Sequence, residues 1–258
     1  MSGRLQDKVC IVTGAGQGIG RATALAFARE NAVVVVAEKN TRTGPAVAKE
    51  IEESGARAIF HEVDVSDQHS CDHLATTTIE RFGHVDVLVA NAGVNVFSEP
   101  LALSEAEWRR CFSVDLDGVW FSARSVLPSM LDQKSGSIVA MASCHSFGII
   151  PNCFPYPVAK HGVVGLVRAL GVQYAAQGIR VNAIAPGYVE TELAQQYWAT
   201  FHDPEEERAR VCRLHPAGRL AHPDEVAMTA VFLASDEASF INATTIQIDG
   251  GRSAVYHD

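Results

Sequence analysis

Tyr156 and Lys160 stand four residues apart in Tyr156-Pro157-Val158-Ala159-Lys160, at the head of a segment of helical period running toward Gln177. On a helix this spacing puts the phenol and the ammonium on one face. A phenol with an ordinary pKa of about 10 is a poor base at neutral pH. A neighbouring ammonium favours the phenolate, and the hydroxyl can then take or give the proton of an alcohol. Ser143, 13 residues upstream of Tyr156, offers a second hydroxyl to hydrogen-bond the same substrate oxygen. Five tyrosines and five lysines in 258 residues produce about 0.1 Tyr-x-x-x-Lys pairs by chance. The information therefore lies in the conjunction with Ser143 and with a glycine-rich turn near the N-terminus.

That turn, Thr13-Gly14-Ala15-Gly16-Gln17-Gly18-Ile19-Gly20, follows the apolar run Val9 to Thr13 and precedes a helical segment, Arg21 to Glu30. A strand, a glycine turn and a helix in this order suit a dinucleotide: the backbone approaches the pyrophosphate closely, and the helix N-terminus stabilises its charge. Gly14, Gln17, Gly18, Ile19 and Gly20 are the candidate contacts, although the spacing is T-G-x-x-x-G-x-G rather than G-x-G-x-x-G. A merely tight turn is the plainer alternative. Glu38, 18 residues beyond Gly20 at the end of a second apolar run, can accept from both hydroxyls of an adenosine ribose and would repel a 2′-phosphate. Lys39 and Arg42 are the residues that would take a phosphate instead, and Gln17 leaves the turn without a base. The reading is NAD rather than NADP, with the cofactor carrying the hydride and its oxidised ring further favouring the phenolate. Asp64, followed by Val65, is placed to accept from an adenine amino group, and in Asn91-Ala92-Gly93 the small pair lets a cofactor lie against the backbone.

These residues need a frame that brings them together. Val9 to Thr13, Val33 to Ala37, Ala58 to Glu62, Val87 to Ala90, Ser137 to Met141, Arg180 to Ala185 and Thr245 to Ile248 read as strands separated by helical segments. The runs are nearly continuously apolar, as strands buried on both faces are. That predicts an α/β fold, a doubly wound parallel sheet of the Rossmann kind in a single domain spanning 1–258. In such sheets ligands bind beyond the carboxyl ends of the strands, which is where the residues named above fall.

With 47% hydrophobic and 20% charged residues the chain is compositionally that of a globular protein. A net charge of −9, relieved by no basic cluster, speaks against nucleic acid and anionic membrane as partners. No apolar run approaches a membrane span, and Met1 to Lys8 is polar with no apolar region following, so the expected location is cytoplasmic. Six cysteines without a Cys-x-x-Cys pair fit reduced thiols rather than disulfides or zinc. His69 and His73 have metal-ligand spacing but no third ligand, so no metal is expected and a solvated face is the reading.

Thr13 to Gly20, Asn91-Ala92-Gly93, Ser143, Tyr156-x-x-x-Lys160 and Pro186-Gly187, in this order and spacing, resemble the short-chain dehydrogenase/reductase family over nearly the whole chain. The resemblance implies an NAD(P)-dependent oxidoreductase, usually a homotetramer, with Tyr156 as acid/base and Lys160 also on the nicotinamide ribose. It implies that Ser143 polarises the substrate oxygen and that Val189 and Thr191, after Pro186-Gly187, hold the carboxamide. One position departs. The family usually has an Asn on the helix before the fifth strand, bending it and offering a main-chain carbonyl to a relay water; here Asp115 stands there. The carbonyl survives the exchange, so Asp115 is kept as a catalytic-support residue, but a carboxylate lacks the amide's donors.

Asn95, His145, Asn152 and Tyr188 are polar candidates around the pocket and favour a small polyhydroxylated substrate. Segments around Asp115 and Tyr156 and the ending from Asp249 resemble a subgroup acting on sugars and 2-keto-3-deoxy sugar acids. Arg252, with Tyr256 and His257, would serve a carboxylate or sugar hydroxyls from a C-terminal tail of about 250–258, for which a frayed end is the alternative. Residues from about 190–215 read as a flexible lid, or else as an inert surface helix pair. The rival functions are an NADP-dependent 3-oxoacyl carrier-protein reductase, opposed by Glu38 and the acidic charge, and a non-catalytic NAD sensor, opposed by the presence of Ser143, Tyr156 and Lys160.

Overall fold

Seven of the strands in the computed structural model, which describes residues 3–255, form one parallel sheet. The strands are β1 (Val9–Thr13), β2 (Val33–Glu38), β3 (Arg57–Glu62), β4 (Val87–Ala90), β5 (Phe97–Ser98), β6 (Gly136–Met141), β7 (Phe154–Pro155), β8 (Ile179–Pro186) and β9 (Thr245–Ile248). The helices are α1 (Gly18–Arg29), α2 (Thr43–Glu53), α3 (Gln68–Phe82), α4 (Glu105–Phe112), α5 (Gly118–Gln133), α6 (Tyr156–Tyr174), α7 (Glu192–Trp198), α8 (Pro204–Arg213) and α9 (Pro223–Ala234). The sheet order is β3-β2-β1-β4-β6-β8-β9, so the chain reverses direction across the sheet between β1 and β4. A crevice opens at such a reversal, outside the carboxyl ends of the strands.

The alternation within each strand explains why the runs are apolar throughout. Cys10, Val12, Val34 and Val36 pack into a core shared with α1, α2 and α9, while Ile11, Val35 and Ala37 pack into one shared with α3, α5 and α6. Both side-chain sets are buried, so neither tolerates polarity. The expected strands are all present, several with one more residue at an end. The antiparallel β5–β7 ribbon was not anticipated, since two-residue strands carry no periodic signal.

Two local features shape the crevice. At the end of β1, Gly14 has φ +63° and its Cα side abuts Ala92, while a Cβ added at Gly20 would run into the Gly14 carbonyl oxygen and come within 2.5 Å of Asn91 Nδ2. Only bare backbone fits there. Between α4 and α5, residues Ser113–Asp117 widen into a π-helical turn. Such turns re-aim the residues they contain, and this one puts Asp115 at 0% exposure beneath the crevice.

Gly20→Ala is therefore expected to lower stability by about 1–3 kcal/mol through overpacking and to weaken dinucleotide binding at least tenfold, as read by thermal denaturation and fluorescence titration. Unchanged binding would show that the turn has room to spare.

Candidate active site

A cleft of about 980 Å³ runs along the carboxyl ends of β1, β2, β4, β6 and β8. Its wall includes every residue that the sequence singled out for the cofactor: Gly14, Gln17, Gly18, Ile19, Gly20, Glu38, Asp64, Val65, Asn91, Ala92, Gly93, Tyr156, Lys160, Pro186, Gly187, Val189 and Thr191. Thr13 and Asn91 staple the crevice. The Asn91 and Ala92 amides donate to Thr13 Oγ1 at 3.0 and 3.2 Å, and Asn91 Nδ2 donates to the carbonyls of Thr13 and Gly14 at 3.0 and 3.2 Å. Glu38 is held by its backbone neighbours, accepting from Gly16 N at 2.9 Å and from Asn40 N at 3.0 Å. Lys39 pairs with Asp64 at 2.5 Å, and Ser66 also donates to Asp64. The Asp64 carboxylate is thus already engaged by two partners.

These donors and the close-packed glycines fit a nicotinamide dinucleotide. The Gly18 amide, at the start of α1, demonstrates an anion site directly, because it donates to the carboxylate of Glu192 at 3.1 Å. Glu192 opens α7, the next residue after Thr191, whose hydroxyl caps that helix by accepting from Ala194 N. Sequence inspection missed Glu192, since an acidic residue in a first helical turn is ordinary by itself.

Ser143, Tyr156 and Lys160 converge at the centre of the cleft. Ser143 follows β6 and accepts from His145 N at 3.1 Å, which fixes its hydroxyl. Ser146 Oγ donates to the Lys160 carbonyl at 2.8 Å, tying this turn to α6. The Tyr156 ring meets Phe97 edge-on at 5.4 Å and His145 edge-on at 5.8 Å, and Lys160 Nζ lies 5.4 Å from its centroid. Burial pushes the Tyr156 phenol above its ordinary value; Asp115 adds to the rise, whereas Lys160 and the nearby Ser143 hydroxyl oppose it. Burial also lowers His145 to about 4, so this imidazole is neutral, and its buried Nδ1 has no partner among the described residues.

Asp115 is where the structure departs most from the expectation. Its side chain is not idle. Oδ1 sits 3.2 Å from Lys160 Nζ and accepts from Val94 N at 3.3 Å, and Cys111 Sγ approaches Oδ2 at 3.8 Å. A Cβ on Gly93 would come within 2.8 Å of Oδ1, so the glycine makes room for the carboxylate.

The substrate candidates divide. Asn95, His145, Asn152 and Tyr188 line the cleft with Ser143 and Tyr156, joined by Phe97, Ile150, Leu193 and Tyr197, which the sequence had not singled out. Arg252 is not among the residues lining the cleft; its guanidinium sits 5.1 Å above the ring of Tyr188, on the turn Arg252–Ala254 that follows the left-handed Gly250 and Gly251. Tyr256 and His257 lie outside the described residues. His73 faces His61 at 3.3 Å rather than His69, and no cluster of three metal-ligating side chains occurs among the described residues. No helix there is long and apolar enough to cross a membrane.

Known proteins resemble this chain along nearly its whole length. The family model described as Enoyl-(Acyl carrier protein) reductase matches residues 14–253. Cis-4-hydroxycyclohexanecarboxylate dehydrogenase of Sinomonas cyclohexanicum is 41% identical over 250 residues, covering 96% of this chain and 98% of that protein. The 3-oxoacyl-acyl-carrier-protein reductase FabG of Thermotoga maritima is 35% identical, with 96% and 98% covered. The 2-keto-3-deoxy-L-fuconate dehydrogenase of Xanthomonas campestris pv. campestris is 38% identical, with 97% and 81% covered. Among solved structures, levodione reductase superposes with a TM-score of 0.94 at 36% identity, covering 97% and 99% of the two chains. A Beutenbergia cavernae protein, with a TM-score of 0.91 at 39% identity and 97% and 98% covered, was solved with NADP bound at low occupancy.

Because the Glu192 carboxylate competes for the amide a cofactor phosphate would use, Glu192→Ala is expected to tighten dinucleotide binding about two- to fivefold at low salt. Fluorescence titration would read this, and weaker binding in the variant would instead make Glu192 a cofactor contact.

Proposed function

The chain belongs to the short-chain dehydrogenase/reductase family, and from that premise we propose that it is an NAD-dependent oxidoreductase interconverting a secondary alcohol and a ketone on a small polar substrate. The observation that carries the chemistry is the meeting of Ser143, Tyr156 and Lys160 on one cleft wall. The bound nicotinamide supplies the hydride acceptor for oxidation and the hydride donor for reduction. Ser143 hydrogen-bonds the substrate oxygen, and Tyr156 takes the hydroxyl proton during oxidation and returns it during reduction. Lys160 stabilises the phenolate and holds the nicotinamide ribose, while Val189 and Thr191 hold the carboxamide. Asp64 is assigned to the adenine side, Glu38 to the adenosine ribose.

The NAD preference rests on Glu38, whose carboxylate is pinned beside the glycine turn by Gly16 N and faces the cleft. A 2′-phosphate there meets like charge, and Lys39 is occupied by Asp64. This opposes the NADP-dependent carrier-protein reductase reading, as does the net charge of −9 against an acidic carrier.

For the substrate, the polar wall of Asn95, His145, Asn152 and Tyr188 supports a sugar or 2-keto-3-deoxy sugar acid, in keeping with the activity named for the Xanthomonas relative. A second reading has its own observation. Phe97 meets both Tyr156 and Tyr197 edge-on, at 5.4 and 5.7 Å, making an apolar face suited to a six-membered carbocycle, and the Sinomonas relative is named for a cyclic hydroxy acid. α7 and α8 act in this proposal as a lid of about 190–215, and the active form is a cytoplasmic homotetramer. Absorbance at the reduced-nicotinamide band, with NAD or NADP across polyols, aldoses, sugar acids and cyclohexanols, separates the two substrate readings. No turnover with either cofactor on any of these alcohols would favour a non-catalytic sensor.

Tyr156→Phe keeps the ring and removes the proton carrier, so turnover is expected to fall about 10²-fold or more with dinucleotide affinity nearly unchanged. Near-normal turnover in steady-state assays would remove Tyr156 as acid/base. Glu38→Ala combined with Gln17→Arg is expected to shift the NAD-to-NADP ratio of kcat/KM about tenfold or more toward NADP. A wild-type ratio already favouring NADP would overturn the cofactor assignment.

A further inference from the structure

Lys160 is 3% exposed, and its ammonium faces two oxygens, the Met141 carbonyl at 3.1 Å and the Asp115 carboxylate at 3.2 Å. Asp115 is itself 0% exposed. A buried carboxylate that close to a buried ammonium does more than orient it; it cancels most of its charge as felt a few ångströms away. The ring of Tyr156 lies beside the same ammonium, its centroid 5.4 Å from Nζ.

We propose that the carboxylate of Asp115 is a charge-balancing positioning residue, which acts through Lys160 to move proton transfer at Tyr156 to alkaline pH. The inference rests on the reading of Tyr156 as the acid/base. An amide at position 115 would leave Lys160 as an uncompensated cation beside the phenol, and the phenolate would form at lower pH. Burial raises the Asp115 carboxyl, and Lys160, the Val94 amide and the Cys111 thiol oppose that rise; with the carboxylate ionised beside Lys160, the phenol faces an ion pair that is neutral overall.

The surrounding groups leave the Asp115–Lys160 pair in control. From α4, Cys111 faces the pair, and burial and Asp115 push its thiol up to about 12, so it stays protonated. From the turn after β6, burial raises the Cys144 thiol and holds His145 neutral. Ser143 is a neutral hydroxyl and contributes no charge. The Arg252 cation acts on Cys144 and His145 from its place over the Tyr188 ring. Burial works against the Lys160 ammonium, but Asp115 and the developing phenolate outweigh it and keep the lysine charged.

The contacts also supply a clean substitution. Oδ1 accepts from both Lys160 and Val94 N, while among the described residues the hydrogen-bond contact of Oδ2 is with the Cys111 thiol. In Asp115→Asn, an amide oxygen can keep the first two contacts and the amide nitrogen can face the thiol sulfur. Shape and positioning survive, and the charge is removed.

The experiment compares the pH profiles of kcat/KM for alcohol oxidation in wild type, Asp115→Asn and Tyr156→Phe. The limb that rises with pH is expected to move about one pH unit lower in Asp115→Asn, with KM for NAD changed less than about threefold. A limb that stays in place or moves higher overturns the proposal. Should Asp115→Asn fail to fold by circular dichroism, Asp115→Ser, which also removes the charge, is read by the same pH profile: a rising limb moved lower supports the proposal and an unmoved or higher one overturns it. Turnover persisting in Tyr156→Phe would defeat the parent reading, whereas its loss together with an unmoved Asp115→Asn limb would defeat this inference alone.

Discussion

A single buried ammonium organises the site. Lys160 comes from α6, its carbonyl partner Met141 from β6, and its carboxylate partner Asp115 from the π-helical turn, with Val94 after β4 bonded to the same carboxylate. Taking a lysine out of water costs several kcal/mol, and only paired and hydrogen-bonded surroundings offset that. Four chain segments must therefore arrive together for the charge to be tolerated, and their arrival sets Tyr156 against Phe97 and His145. The departure at position 115 belongs to the same economy: Gly93 leaves space for the carboxylate, and Cys111 lies beside it without competing for a proton.

The cofactor half depends on a different constraint, the absence of side chains. Gly14 and Gly20 bring two backbone segments into contact, and Thr13 and Asn91 lock β1 to the loop after β4 where the sheet order reverses. The Gly18 amide at the start of α1 donates to the carboxylate of Glu192, which reaches it from α7. The segment over the cleft thus carries a carboxylate to the N-terminus of α1, joining α7 to the glycine turn.

The outer wall mixes two chemistries. Asn95, Asn152 and His145 present polar atoms, and Phe97, Tyr197 and Leu193 present apolar surface. A small core of Trp198, Val211 and Leu220 lets α7 and α8 pack on each other with little help from the main sheet. This is the arrangement expected of a segment whose cohesion is local, and it explains why substrate choice varies on a shared frame.

Much of the frame was legible before any coordinates. Strand existence followed from apolar runs that two packed faces enforce, and Tyr156, Lys160, Ser143, Glu38 and the glycine turn followed from residue types at fixed offsets, which are local properties of the chain. The ribbon of Phe97–Ser98 with Phe154–Pro155 was not legible, because pairing between two-residue strands is a long-range event. The placement of Arg252 over the Tyr188 ring, the capture of Gly18 N by Glu192 and the pairing of Asp115 with Lys160 were equally hidden. By itself, then, the sequence determined the strands of the main sheet and the residues that line the cleft at their carboxyl ends. Only the tertiary structure decided which charges face one another, since residues 45 apart in Asp115 and Lys160 or 174 apart in Gly18 and Glu192 acquire an electrostatic relation only when folding brings them within a few ångströms and removes the water between them.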